Sequence, residues 1–235
     1  MTESDPAVLK RAAALRALDF VTDGMKLGLG SGSTAEAFLD VLGPRVRGGL
    51  KIIGVATSER TAQKARALSI PVADLDSQAP LDLTVDGADE ADRDLNLIKG
   101  GGGAHLREKI VATSSRKMVV ITDSSKLVAK LGKFPLPVEV STFGHGTTAA
   151  RIVAAAGKLK YRNVPLTLRM KDDAPFKTNG GNYIYDCAFG VIADAAALAE
   201  AISDIPGVVE HGLFVGIAGT LVVAGPGGVE VIERP

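Results

Sequence analysis

KIIGVATSERTAQKARAL, residues 51–68, changes its hydrophobic period halfway. Residues 51–57 form a short apolar run rich in β-branched side chains, the mark of a buried strand. From Ser58 onward the apolar positions space out as on one face of a helix, and Ser58 stands where a side-chain oxygen caps a helix's free N–H groups. The stretch predicts a strand followed directly by a helix. The same switch recurs on both sides. Met25–Leu29 is an apolar run that leads into Gly-Ser-Gly-Ser-Thr and a helical stretch from Ser33 to Leu42. LDLTVDG (81–87) and KMVVIT (117–122) read as strands, with a helical stretch near 104–115 between them. Ahead of all these, Val8, Leu9, Ala12, Leu15 and Leu18 give residues 5–21 an amphipathic helical spacing. Such alternation implies right-handed βαβ units and a mainly parallel sheet.

The pattern changes at FPLPVEV (134–140). A strand (137–141), a helix (146–157) and a strand LTLRM (166–170) come first. A turn NGGN (179–182), a strand YIYDCAF (183–189), a helix DAAALAEAISDI (194–205) and a strand near 208–214 follow. The order β-α-β-β-α-β is the ferredoxin-like arrangement. TLVVAG (220–225) and GVEVIER (228–234) then read as a closing hairpin that returns to the first unit. The expected organisation is an α/β domain over 1–134 plus 211–235, with a smaller α+β domain over 135–210.

Bulk properties narrow the function. The 235 residues are 46% hydrophobic, enough for a sizeable core. Lys plus Arg and Asp plus Glu stand at 27 each, so net charge gives no reason to expect nucleic acid or an anionic membrane surface as partner. Aromatics make up 4% with no Trp, a poor supply of base-stacking platforms. The single cysteine, Cys187, rules out an intramolecular disulfide and suits a reducing compartment. MTESDPAVLKRAAALRALDF lacks the apolar core of a secretory signal, and no stretch approaches the roughly 18–20 apolar residues of a membrane span. A soluble, cytoplasmic protein is expected.

Three stretches carry chemistry. GLGSGSTA (28–35) follows a strand and opens a helix. Helix N-terminal amides with the hydroxyls of Ser31, Ser33 and Thr34 make a phosphate cradle. An ordinary strand–helix turn with a serine cap fits the same residues. The stretch ends in no Gly-Lys-Ser/Thr and lacks the third glycine of a dinucleotide fingerprint. VDGADEAD (85–92) places Asp86, Asp89, Glu90 and Asp92 at a strand's C-terminal end, where open α/β sheets bind ligands. Asp86 and Asp89 are spaced to converge on one ligand, while Glu90 and Asp92 are expected to face water. A wholly solvated acidic turn is the alternative. IKGGGGAHLREKI (98–110) sets Lys99 before four glycines and Glu108 after them. The flanks are ordered rather than linker-like, so the glycines let backbone approach an anion or oxyanion. Lys99 supplies a fixed charge and Glu108, at the start of a helix, a candidate base; alone, Glu108 also reads as a surface charge. Lys126 in TDSSKLV follows another strand end. Among the histidines, His105 abuts the glycines within reach of a ligand, and His145 and His211 lie in glycine-flanked turns; none shows metal-ligand spacing. Cys187 alternates with apolar neighbours and reads as packed.

GLGSGSTA, VDGADE, IKGGGGAHLREKI, TDSSK, LGKFPLPVEV and IPGVVEHGLF, in this order from about residue 8 to 225, resemble the type A ribose-5-phosphate isomerases. The resemblance implies a Rossmann-like domain with a ferredoxin-like insert, assembled as a homodimer or homotetramer. It implies interconversion of ribose 5-phosphate and ribulose 5-phosphate through a cis-enediolate, without metal or organic cofactor. Carried over residue by residue, substrate contacts fall on Ser31, Gly32, Ser33 and Thr34, on Asp86, Gly87, Ala88 and Asp89, on Lys99, Gly100, Gly101 and Gly102, and on Lys126. Glu108 is the implied base, Lys99 and the glycine amides stabilise charge, and Asp86 or Asp89 assists ring opening. Lys10 matches a phosphate-side lysine. Ser31 stands where many members have Thr, and the His105-Leu106 pair departs from the family pattern. A non-catalytic sugar-phosphate sensor is the rival reading. It calls for a DNA-binding module, and no basic helix-turn-helix is visible. An amino-sugar phosphate deaminase would release ammonia, and a coenzyme A transferase would form a glutamyl thioester.

Overall fold

Asp5 and Pro6 start the first helix. The Asp5 carboxylate accepts the Ala7 N–H at 2.9 Å, and proline occupies a first-turn position where its missing N–H costs no bond. The computed structural model describes residues 5–234. Residues 1–4 and 235, the extremities of the expected first domain, lie outside them. In chain order the elements are α1 (Pro6–Ala17), β1 (Lys26–Leu29), α2 (Ser33–Arg47), β2 (Ile53–Ala56), α3 (Glu59–Ala67), α4 (Leu75–Gln78) and β3 (Leu83–Gly87). Then come β4 (Glu90–Ala91), β5 (Leu97–Ile98), α5 (His105–Thr113), β6 (Met118–Asp123), β7 (Leu136–Val140), α6 (His145–Lys158) and β8 (Leu166–Leu168). The chain closes with β9 (Met170–Lys171), β10 (Ala174–Pro175), β11 (Tyr183–Cys187), α7 (Ala195–Ser203), β12 (Val208–His211), β13 (Leu213–Phe214), β14 (Thr220–Gly225) and β15 (Gly228–Glu233).

The main sheet has the order β15-β14-β6-β3-β1-β2, with every pair parallel except the terminal hairpin β14–β15. Strand Met118–Asp123 is buried along its whole length, as a strand covered on both faces must be. Ser58 caps α3 as expected, its hydroxyl accepting the Thr61 N–H at 3.2 Å. Two helices differ from the sequence reading. The first passes into a 3-10 turn at Leu18–Phe20, ahead of the turn at Gly24. The second runs past Gly43-Pro44 to Arg47, because Val41, Leu42 and Val46 all pack on the main core and outweigh the local cost of proline.

A second sheet has the order β12-β7-β11-β8, all antiparallel, with α6 and α7 in the crossovers. Its core joins Leu136, Val138, Val140, Ile152, Leu198 and Ile202, apart from the main cluster around Leu27, Leu29, Phe38 and Val85. The expected strand over 208–214 is broken. A bulge in β12 and Gly212 hand the chain over to β13, which joins β5 and β4 in a three-stranded sheet. Gly212 accepts the Lys99 N–H at 2.8 Å and donates to Pro137 O at 2.8 Å, so it pins the root of the glycine run to the second sheet.

Candidate active site

The loops after β1, β3 and β6 open at the C-terminal ends of parallel strands, where α/β sheets expose backbone to ligands. They and the glycine run enclose a cleft of about 180 Å³. Ser31–Thr34, Gly87–Asp89, Lys99–Gly102 and Glu108 form its walls, with Lys10 and Lys126 among its lining residues. Of the residues expected from sequence, all but Asp86 border this cleft. Asp86 lies behind it, fully buried.

Asp86 holds the centre of the site together. Its Oδ1 accepts the Ser31 N–H (3.1 Å) and the Gly87 N–H (2.7 Å). Its Oδ2 lies 2.9 Å from Lys99 Nζ. Lys99, 3% exposed, also donates to Gly87 O at 2.6 Å and reaches Glu108 Oε2 at 3.3 Å. One ammonium therefore serves two buried carboxylates, beside the face of Phe214 at 5.6 Å. Burial alone would depress the Lys99 pKa, but Asp86 and Glu108 reverse this and hold it above its ordinary value. Burial raises the Asp86 carboxyl against the pull of Lys99 and the two amides. Burial likewise pushes Glu108 up to about 8, with Lys99 opposing and Asp86 reinforcing. The result is a carboxylate near the cleft that binds a proton readily at neutral pH, next to a permanent cation.

The glycine run turns tightly, and most of its members have a specific reason to lack a side chain. Gly100 and Gly103 have φ of +103° and +76°, in the left-handed region that costs other residues strain. A Cβ on Gly101 would lie 2.7 Å from the Asp89 carboxylate, and one on Gly103 would lie 2.6 Å from Phe176. Asp89 faces the cleft and accepts the Gly101 N–H at 2.7 Å. Gly101 and Gly102 are exposed on the cleft.

At the other end, α2 begins without a serine cap. Its cap is Gly32, with no side-chain bond, so the first amides of the helix are left for a ligand. Lys10 Nζ donates to Ser33 Oγ at 2.9 Å beside these amides. Among the described residues neither Lys10 nor Lys126 is paired with a carboxylate. The Ser31 hydroxyl does not join the cradle as expected. It turns to Thr57 (2.7 Å), Ser58 (2.9 Å) and Thr61 (3.1 Å), although Ser31 as a residue borders the cleft.

Glu90 and Asp92 do not face water. Glu90 is buried and accepts the N–H groups of Gly132 (2.7 Å) and Phe134 (2.6 Å). Asp92 accepts those of Asp94 (3.0 Å) and Asn96 (2.9 Å). Each carboxylate is taken up by the amides of a neighbouring loop rather than by a ligand. His105 is not on the cleft either. It is fully buried beneath Gly100, and burial lowers its pKa to about 3. His145 begins α6, its Nδ1 2.8 Å from the Tyr185 hydroxyl; His211 bridges Ser203 and Leu213. Cys187 is buried. Among the described residues no group of three or more His, Cys, Asp or Glu side chains is placed to hold a metal ion. Sequence reasoning missed Arg169, whose guanidinium contacts the glycine run from the second sheet. A lone arginine in LTLRM carries no signal of such a contact.

The family described as ribose 5-phosphate isomerase A (phosphoriboisomerase A) matches residues 53–228. The ribose-5-phosphate isomerase A of Brucella suis biovar 1 is 54% identical over 226 residues, 96% of this chain and 97% of that protein. Two solved structures superpose over nearly all of both chains. Ribose 5 phosphate isomerase A from Neisseria gonorrhoeae has a TM-score of 0.89 at 36% identity, covering 99% of each chain. A D-ribose-5-phosphate isomerase in complex with phospho-erythronic acid has a TM-score of 0.88 at 39% identity, covering 96% of this chain and 97% of that one.

Proposed function

This chain belongs to the ribose 5-phosphate isomerase A family and interconverts D-ribose 5-phosphate and D-ribulose 5-phosphate, and we propose that Glu108 carries the proton between C2 and C1. The observation that carries this reading is the buried Glu108–Lys99 pair on the cleft, 3.3 Å apart, with the carboxyl pKa raised to about 8. A base whose pKa lies near working pH both accepts and returns a proton efficiently. Removal of the C2 proton generates a cis-enediolate, whose oxygens gain negative charge. Lys99 and the Gly102 N–H, which no described protein group engages, stabilise that charge, and such preorganised donors contribute roughly 3–4 kcal/mol each. Returning the proton to C1 completes the aldose–ketose exchange, with no step that needs a metal or organic cofactor.

Asp86 and Asp89 divide the remaining work. Asp86 is fully buried, with two amides on one oxygen and the Lys99 ammonium beside the other, which suits it to orient that ammonium. Asp89 borders the cleft and is the better placed to move the hydroxyl proton during ring opening. Gly87 and Ala88 shape the wall between them. The phosphate lies at the α2 end, against the amides of Ser33 and Thr34, with Gly32 leaving room and Lys10 and Lys126 supplying charge. Held there, it orients the reacting carbons and contributes binding energy that the chemical step uses.

The domain boundaries at 134/135 and 210/211, assembly as a homodimer or homotetramer, and residence in the cytoplasm complete the reading. The separate apolar core of the second sheet supports the first of these. Among the described residues no helix is long and apolar enough to cross a membrane. The test is ribulose 5-phosphate formation from ribose 5-phosphate in EDTA. Turnover by the wild type that collapses in Glu108→Gln supports the assignment. Turnover that survives Glu108→Gln keeps the reaction and moves the base to another residue.

A further inference from the structure

Arg169 stands between β8 and β9, outside the cleft, yet its fork points at the glycine run. Nε donates to Asp186 Oδ2 at 2.9 Å, and Nη2 pairs with Asp186 Oδ1. The remaining arm, Nη1, donates to Gly100 O at 2.9 Å and Gly101 O at 3.2 Å. Asp186 lies on β11, in register with Thr167 of the adjacent β8, so the fork is anchored on two paired strands. The pair is well shielded, with the arginine side chain 15% exposed. Arg169 also lies over Phe176, the ring that fills the space beside Gly103.

The geometry matters because of how peptide groups are built. In a trans peptide the C=O and the following N–H point in opposite directions. Fixing the carbonyls of Gly100 and Gly101 on the arginine side sends the N–H groups of Gly101 and Gly102 the other way. The Gly101 N–H meets Asp89, and the Gly102 N–H has no protein partner among the described residues. Glycines have the widest backbone freedom of any residue, so an untethered run would spread over many amide orientations. Few other contacts restrict this one: Gly103 N–H to Gly100 O at 2.9 Å, and Gly101 to Asp89.

We propose that Arg169, held by Asp186, is a positioning residue for the isomerisation. It acts through the glycine run, turning the Gly101 and Gly102 amides toward Asp89 and the developing enediolate oxygens. The proposal rests on the isomerase reading above. Its contribution is to the transition state more than to ground-state binding, since the phosphate end of the site is untouched.

The test compares wild type, Arg169→Met, Arg169→Lys and Asp186→Asn in kcat, KM and inhibition by phospho-erythronic acid. That acid presents negative oxygens to the region where the enediolate charge forms. Arg169→Met is expected to lower kcat roughly 10- to 100-fold, below the cost of deleting an oxyanion donor outright. KM for ribose 5-phosphate should move less than about threefold, and phospho-erythronic acid inhibition should weaken in parallel with kcat. Arg169→Lys, which keeps one donor, should recover part of the loss, and Asp186→Asn should fall between Lys and wild type. A kcat within twofold of wild type in Arg169→Met overturns the proposal. So does a fall in kcat with inhibition unchanged, which is what loss of folded enzyme alone produces. Should Arg169→Met fail to fold, Arg169→Lys and Asp186→Asn carry the same comparison. Absence of wild-type turnover would instead count against the isomerase reading itself.

Discussion

Raising the pH from 7 to 9 should make this protein more active and less stable, both through Glu108. The carboxyl has an ordinary value of 4.5 and is pushed up to about 8 in the folded state. Its native form thus holds a proton that its unfolded form has lost. A carboxyl of this kind contributes stability that is fully present below 4.5 and is lost as pH rises through 8. The slope is at most about 1.4 kcal/mol per pH unit, so the loss over the whole window from 4.5 to 8 is on the order of 5 kcal/mol, of which about 1.4 kcal/mol falls between pH 7 and 9. Most proteins have only roughly 5–15 kcal/mol to lose. Asp86, also raised by burial, adds in the same direction. Lys99 stays charged throughout, and His105 and His211, both lowered to about 3, destabilise only when the pH falls through the ordinary histidine range. Catalysis runs the other way, because only the carboxylate form of Glu108 takes the C2 proton. Above pH 7 the substrate phosphate is mostly doubly ionised, so kcat/KM should follow the Glu108 carboxylate alone, rising about fivefold from pH 7 to 8 and about twofold more to pH 9, where it levels off. Denaturant unfolding of wild type and Glu108→Gln at pH 7, 8 and 9, with kcat/KM of the wild type, measures both limbs. Parallel stability profiles for the two proteins, with kcat/KM flat from 7 to 9, would refute the raised pKa.

Lys99→Met should abolish activity and destabilise the fold by roughly 3–5 kcal/mol near pH 8, because it strands two buried carboxylates. The deficit should shrink at pH 5, where they can protonate, as unfolding titrations would reveal. Lys10→Ala should raise KM about tenfold at low salt with kcat little changed, and the effect should fade as ionic strength screens the phosphate. Steady-state kinetics at two salt concentrations check it. Gly101→Ala should cut activity more than Gly102→Ala, since its Cβ meets the Asp89 carboxylate while the space around Gly102 is open. Parallel kcat/KM and melting measurements on the pair decide this.

Much of this was legible because period and punctuation agree. The strand-to-helix switch at Ser58, the apolar run Met118–Asp123 and the β-α-β-β-α-β order after 134 each reflect burial patterns that short-range spacing encodes. Lys99, the glycines and Glu108 were legible for a related reason: they sit within one short segment, so sequence proximity and spatial proximity coincide. Long-range satisfaction of polar groups was not legible. Glu90 looks like part of an acidic turn until Gly132 and Phe134 bring their amides to it. The Ser31 hydroxyl looks like a phosphate ligand until Thr57, Ser58 and Thr61 surround it. Arg169 gains meaning only once the second sheet packs beside Gly100. The three-stranded sheet β13-β5-β4 escaped because its strands are two residues long, too short for any alternation to show.

The central claim is that Glu108 removes the C2 proton. Loss of deuterium from C2 of [2-²H]ribose 5-phosphate, counted both as label moved to C1 and as label released to ordinary water, by wild type and by Glu108→Gln with ribose 5-phosphate binding verified, addresses it most directly. The wild type should lose the label from C2 as ribulose 5-phosphate forms, and Glu108→Gln should bind the sugar phosphate yet leave the label in place, slower by a thousandfold or more, on the order of what removing an essential catalytic side chain costs. Loss of the C2 label by Glu108→Gln at a rate near the wild type's would contradict the account and move the base to another residue.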